Sequence, residues 1–322
     1  MKTIRWMSFL AAALLAANVQ AQAFPNKPVR FLVGSAPGGI LDVAARAIGN
    51  RLTERWGQPV LVEFRLGAAG SIAGDALAKS APDGYTMLVA ESGVWGISPH
   101  LVSKPPYDPR TDFAPVIEVG LLPVFLVIPS SVQATNVREF IAYARQNQGK
   151  LSYASGGVGS IHQLSAELFK SMAKVDVLHV PYKGGGPAAA AVMTGEVQMA
   201  FTSYAGALPG LSTGKIRMLG ISTAKRAPTF PDIPTVAESG LPGFGINTTL
   251  GIIAPAATPK DILAKVHADV VAALGVPEVT QRMSDAGLVV APQSAEHFRT
   301  VIRDEYEKFG ELVKLSGARR GD

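Results

Sequence analysis

A short apolar run, Val29 to Val33, gives way to Gly34-Ser35-Ala36-Pro37-Gly38-Gly39, and then Ile40, Val43, Ala44, Ala47 and Ile48 recur at helical spacing. The period and the breakers predict a strand, a tight Gly-rich turn and a helix over 40–52. The layout returns in the middle of the chain. Residues 151–154 read as a strand, Ser155-Gly156-Gly157-Val158-Gly159-Ser160 as a Gly/Ser turn, and Leu164, Leu168, Phe169 and Met172 as one face of a helix over 161–172. The first amides of a helix lack internal partners and carry partial positive charge, so each turn is a place where a carboxylate or phosphate is favoured. Two such turns predict two lobes that offer helix N-termini to one ligand between them.

The same criteria predict strands at 60–64, 86–90, 175–180, 197–201, 218–222 and 251–255. Helices are predicted at 71–79, at 136–147 with Thr135 as cap, in the Ala-rich segment ending at Met193, and at 262–274, 277–286 and 294–316. The C-terminal helices are expected to pack back on the first lobe. The apolar run 118–128 reads as one strand carrying the chain between lobes, with a return crossing near 247–251. Strands alternating with helices argue an α/β fold with mostly parallel sheets, whose ligands collect at the carboxyl ends of strands.

Composition narrows the chemistry. With 322 residues, 48% hydrophobic and 17% charged, the chain can form two globular domains of ordinary size. Its charge of +5 is spread without a basic block, so nucleic-acid binding has no support. It has no cysteine, which removes disulfides, thiolate chemistry and Cys-ligated metals. The five histidines, His100, His162, His179, His267 and His297, include no pair at metal-ligand spacing, so neither a metal nor a cofactor is expected.

Residues 1–23 read as an export signal. Lys2 and Arg5 make a positive start, Met7 to Val19 an apolar segment too short to span a bilayer, and Ala21-Gln22-Ala23 a cleavage site before Phe24. A periplasmic location in a bacterium is expected.

Several motifs, taken in order, resemble one family. They begin with Lys27-Pro28, Pro37-Gly38-Gly39, Asp42 and Ala45-Arg46, and continue through Gly67-Ala68-Ala69-Gly70, Ala81-Pro82-Asp83-Gly84-Tyr85-Thr86 and Pro106-Tyr107-Asp108-Pro109. His179-Val180-Pro181-Tyr182-Lys183-Gly184, Pro231-Asp232-Ile233-Pro234-Thr235 and Gly240-Leu241-Pro242-Gly243 extend the likeness along the chain. Together they resemble the Bug (TctC-like) extracytoplasmic solute receptors of tripartite tricarboxylate transport systems. The resemblance implies a type II periplasmic-binding-protein fold, two α/β lobes joined by two crossing strands, with one lobe at 24–123 and 250–322 and the other at 124–249. It implies a monomeric, non-enzymatic receptor for a small organic carboxylate, an aliphatic di- or tricarboxylate, which it passes to integral membrane subunits; an aromatic carboxylate fits Trp95 and Tyr204 at least as well. It also implies that main-chain amides of Ser35, Ala36, Pro37-Gly38-Gly39 and of Ser155, Gly156, Gly157, Gly159 and Ser160 surround the carboxylate, proline itself contributing shape and no N–H.

Three segments depart from the family pattern and are candidate specificity positions, the first being Gly34-Ser35, where members often have Pro and an aromatic or other apolar residue. Glu91, Ser92 and Trp95 place an acid and an indole where small polar residues are usual; Thr202, Ser203 and Tyr204 replace a segment that often holds Asp or Asn. Trp95 and Tyr204 either pack in the core or wall the cleft; Glu91 either accepts a ligand hydroxyl or ammonium or pairs with a nearby cation. Lys183 is either a solvated turn residue or a point charge for a second ligand carboxylate. Asp42 either steadies its helix dipole or touches ligand. The alternative class is an exported α/β enzyme using the Gly-rich loops as an oxyanion or phosphate cradle. Ser155, Ser160 and His162 lie close in sequence for such a role but lack a nucleophile elbow and an acid partner.

Overall fold

The computed structural model describes residues 24–319, so the expected leader at 1–23 lies outside the described residues. The chain opens with β1 (Val29–Val33), α1 (Ile40–Trp56), β2 (Val60–Phe64), α2 (Ser71–Ala78) and β3 (Thr86–Glu91). An irregular helical stretch over 93–100 leads to β4 (Phe113–Pro123), followed by β5 (Phe125–Pro129), α3 (Val137–Gln146), β6 (Leu151–Ser155) and α4 (Ile161–Ala173). Then come β7 (Val177–Pro181), α5 (Gly185–Thr194), β8 (Met199–Thr202), α6 (Tyr204–Ser212) and β9 (Ile216–Ile221). The chain closes with β10 (Asn247–Pro255), α7 (Lys260–Leu274), α8 (Pro277–Asp285), β11 (Val289–Gln293) and α9 (Ala295–Ser316).

These strands form two sheets, ordered β11-β4-β10-β3-β1-β2 and β7-β6-β8-β5-β9. The parallel arrangement holds around β1, β2 and β3 and around β6, β7 and β8, whereas β4, β5, β9, β10 and β11 pair antiparallel. β5 and β10 run against both of their neighbours, and each of them enters its sheet from the other one. The predicted single strand over 118–128 is two strands in different sheets, separated at Val124. Pro123 has no N–H to continue a ladder. At this joint the Val124 amide donates to Ser222 Oγ at 3.0 Å, and the amides of Ser222 and Ile246 donate to the carbonyls of Val124 and Ser222, both at 2.9 Å. Both crossings are thus tied together at one small serine.

Three local expectations are revised. Asn136, not Thr135, caps α3: its side chain accepts the Glu139 amide at 2.9 Å, and the Glu139 carboxylate returns to the Thr135 amide at 2.7 Å. This reciprocal box sits one residue later than expected because Thr135 serves Glu139 instead of the helix. α6 and β11 had no strong periodic signal, since Pro209 interrupts the first and Pro292 shortens the second. The last helix has two neighbours. Phe298 and Ile302 share a core with Trp95 beneath the first sheet, while Phe309, Leu312 and Val313 share one with Phe140 and Phe169 on the second.

Candidate functional site

The turn after β6 is built by its own side chains. Ser160 Oγ accepts the Gln163 amide at 3.3 Å and donates to the Gly157 carbonyl at 2.7 Å. Gln163 Oε1 accepts the Gly159 amide at 2.7 Å. These bonds cap α4 with neutral groups and leave the first-turn amides of Ile161 and His162 for a ligand. Gly159 adopts φ +76°, and a Cβ there would stand 2.6 Å from Leu101, a buried residue just after the irregular helical stretch over 93–100. Glycine is required by both conformation and closeness.

Together, Gly156 to His162, Gly185, Ala69, Glu91, Gly93, Ile97 and Thr248 enclose a cleft of about 530 Å³. Its walls come from the turns after β3 and β6 and from crossing strand β10, so both sheets contribute. Glu91 accepts a hydrogen bond from Thr248 Oγ1 at 3.3 Å, and burial pushes its carboxyl above the usual range. His162 is pushed down to about 4 by burial and stands neutral near pH 7. Among the described residues no group of three or more His, Cys, Asp or Glu could hold a metal ion.

The turn after β1 behaves differently. Ala36, Pro37, Gly38 and Gly39 are exposed and do not line this cleft. The Gly38 amide donates to Asp42 Oδ2 at 2.9 Å, and Arg46 Nε donates to Asp42 Oδ1 at 2.6 Å. Asp42 therefore steadies its own helix end. Ser35 Oγ is enclosed without a hydrogen-bond partner, and Gly34 lets the turn approach Gly70, whose Cα would lie 2.9 Å from an added Cβ.

Other candidates sit behind the surface. Trp95 is fully buried, its ring edge-on to Phe298 at 5.2 Å and its Nε1 donating to Glu305 Oε2 at 2.7 Å. The structure places this indole in the core, because Glu305 reaches in from α9 to satisfy its N–H. Ser92 is also buried; its Oγ donates to Glu305 at 2.6 Å and accepts the Thr249 amide at 2.7 Å. Thr249 Oγ1 adds a third donor to that carboxylate at 2.7 Å. Glu305 thus pins the Glu91–Trp95 turn to β10 from below.

Tyr204 opens α6 and packs on Phe230 at 4.7 Å and Phe125 at 5.8 Å. Thr202 is buried, and Ser203 is the α6 cap, accepting the Gly206 amide at 3.2 Å. Lys183 is exposed on a turn stitched to the Gly loop by Tyr182 and Gly184 amides that donate to Ser155 and Gly156 carbonyls at 3.0 and 3.3 Å. None of these four lines the cleft. Cleft residues that the sequence did not mark for ligand binding are Ala69, Gly93, Ile97, Val158, Ile161, Gly185 and Thr248, together with His162, which it offers only beside Ser155 and Ser160 in a catalytic role. Only His162, two positions after the Ser160 cap, carried a local signal.

Ser155 forms a 2.7 Å contact with His179 Nε2. Gln163 Oε1 is fixed by Gly159, so its Nε2 faces His179 Nδ1 at 3.3 Å as donor. That leaves the proton on Nε2, which then donates to Ser155 Oγ. A histidine that donates to a serine cannot remove its proton, so the pair is a brace and not a nucleophile with its base.

Comparison with known proteins gives the chain a family. The model of the tripartite tricarboxylate transporter family receptors, TctC, matches residues 44–318. The chain belongs to this family. Family members are solute receptors, not enzymes. A Rhodopseudomonas palustris protein, Rpa4515 with adipate, is similar at TM-score 0.81 and 33% identity, over 92% of this chain and 99% of that one. MatC (Rpa3494) from R. palustris with bound malate gives TM-score 0.75 and 34% identity, over 90% and 100%. The periplasmic binding protein BugD gives 0.77 and 29%, over 92% and 100%. These neighbours bear out the two-lobe α/β fold, and among the described residues no helix is long and apolar enough to cross a membrane.

Proposed function

We propose that this protein is an exported periplasmic receptor that closes two lobes, 24–123 with 250–322 and 124–249, on a small organic carboxylate. It then presents the ligand, as a monomer, to the membrane subunits of a tripartite tricarboxylate transporter. The observation that carries this reading is the cleft between the sheets, walled on one side by a helix N-terminus whose own caps are uncharged. A carboxylate there takes main-chain amides of the Gly loop and the first turn of α4, and the helix dipole favours its charge. Adipate and malate in similar structures support an aliphatic carboxylate, and the burial of Trp95 removes one support for an aromatic one.

Closure acts at the joint of Val124, Ser222 and Ile246. Ligand shifts the population toward the closed form by binding it better than the open one. A thermal-shift screen of mono-, di- and tricarboxylates tests the reading. Ligand at a hundred times its Kd adds roughly 2.7 kcal/mol and raises Tm by a few degrees. No shift with any carboxylate overturns it.

A further inference from the structure

The two walls of the cleft differ in the hydrogen-bonding character they present. The second-lobe wall is rich in donors, the amides of the Gly loop and of the α4 N-terminus. On the first-lobe side the chemistry is that of an acceptor. Glu91 ends β3 with its carboxyl desolvated and holds a single long hydrogen bond, from Thr248 at 3.3 Å. Among the described residues no Lys or Arg lines the cleft, and its other titratable side chain, His162, is kept neutral by burial. Among the described residues Glu91 takes part in no ion pair.

A carboxyl taken out of water without a counter-charge is costly, and a second ligand carboxylate placed beside it would add like-charge repulsion. A cationic nitrogen would do the opposite. It supplies the missing charge, pulls Glu91 into its ionised form and turns an unfavourable group into a recognition element. We infer that Glu91 is the specificity residue of this receptor and selects a zwitterionic ligand, a carboxylate that also carries an ammonium group, with the carboxylate on the Gly loop and the ammonium on Glu91. The inference rests on the receptor reading above and goes beyond it by naming the second pole of the ligand.

Matched ligands separate the two. Isothermal titration would use 4-aminobutanoate, succinate and butanoate, then 6-aminohexanoate, adipate and hexanoate, together with α-amino acids, on the wild type and on Glu91→Gln. The expected result is that an amino carboxylate binds at least tenfold tighter than the dicarboxylate and monocarboxylate of its length. In Glu91→Gln that preference falls to within about threefold while the dicarboxylate binds as well or better. A wild type that prefers the dicarboxylate, with Glu91 protonated and donating to it, overturns the inference and leaves the receptor reading standing. Equal loss of every ligand in Glu91→Gln, with unchanged Tm, also overturns it, since a selective contact must discriminate. Binding of no member of any series overturns the inference, and the receptor reading falls with it only when no mono-, di- or tricarboxylate shifts Tm either.

Discussion

The turns after β1 and β6 are near twins in sequence layout, each a strand, a Gly-rich turn and a helix, and each has a glycine amide bonded by the side chain four residues on. In the first, Gly38 donates to Asp42; in the second, Gly159 donates to Gln163. The difference is one charge. Asp42 brings its own anion to the helix end and pairs it with Arg46, so the first turn is already neutralised by its own chain. Gln163 satisfies the same kind of amide with an uncharged oxygen, so the positive end of α4 remains for something else. The turn without the carboxylate is the one that lines the cleft. A Gly-rich turn at a helix start is therefore only half an anion site; the other half is the absence of an internal anion.

Putting a charge where the second turn has none should break the contrast most severely. Gln163→Glu keeps the bond to Gly159 but places an anion beside the ligand carboxylate, which at an effective dielectric near 20 costs about 3 kcal/mol, on the order of a hundredfold in Kd. Titration calorimetry on a folded variant checks this; unchanged affinity would remove the second turn from the site.

The shape of that turn is a further point of attack. Gly159→Ala forces a side chain into the left-handed region and against buried Leu101. A loss of about 2 kcal/mol in urea unfolding is expected, with weaker ligand binding. Gly38→Ala, also at positive φ but with open space around it, should cost about 1 kcal/mol and spare binding.

His162 gives the second turn a pH dependence that the first lacks. Its folded value of about 4 lies below its ordinary one, so the unfolded chain takes up the proton first. Stability is complete above about pH 6.5 and is lost as pH falls toward 4. Discounted for its partial exposure to the cleft, the loss is about 1–2 kcal/mol. His162→Gln should flatten this window in denaturation curves at pH 7.5 and 5; a curve unchanged from wild type would contradict the assignment.

The smallest effect is expected at the first turn. Asp42→Asn removes a partly exposed ion pair and a favourable dipole contact, about 1 kcal/mol of stability. Ligand affinity should stay within about threefold. A large change in affinity would show that the two turns share the ligand after all.

Local pattern made much of the molecule legible. Apolar runs and helical spacing located most strands and helices, and Ser155 to Ser160 stood out because Gly, Ser and a following helix are adjacent in the chain. The exceptions share a cause. The run over 118–128 gave no sign that its halves enter different sheets, and α6 and β11 owe their form more to packing than to periodicity. For Trp95 and Glu91 the sequence left both readings open, since neither residue's partner is near it in the chain.

By itself, then, the sequence determined most of the element types, the α/β class, the family and the presence of two Gly-rich helix starts. These depend on residues a few positions apart, where propensity, capping and φ freedom act directly. Only the tertiary structure decided which start faces the cleft, that Trp95 belongs to the core beneath Glu305, and that Glu91 meets Thr248 across 157 positions of chain with no Lys or Arg among the described residues lining its cleft. Burial and charge pairing are settled by whichever distant segments arrive at the same place, and no local pattern carries that information.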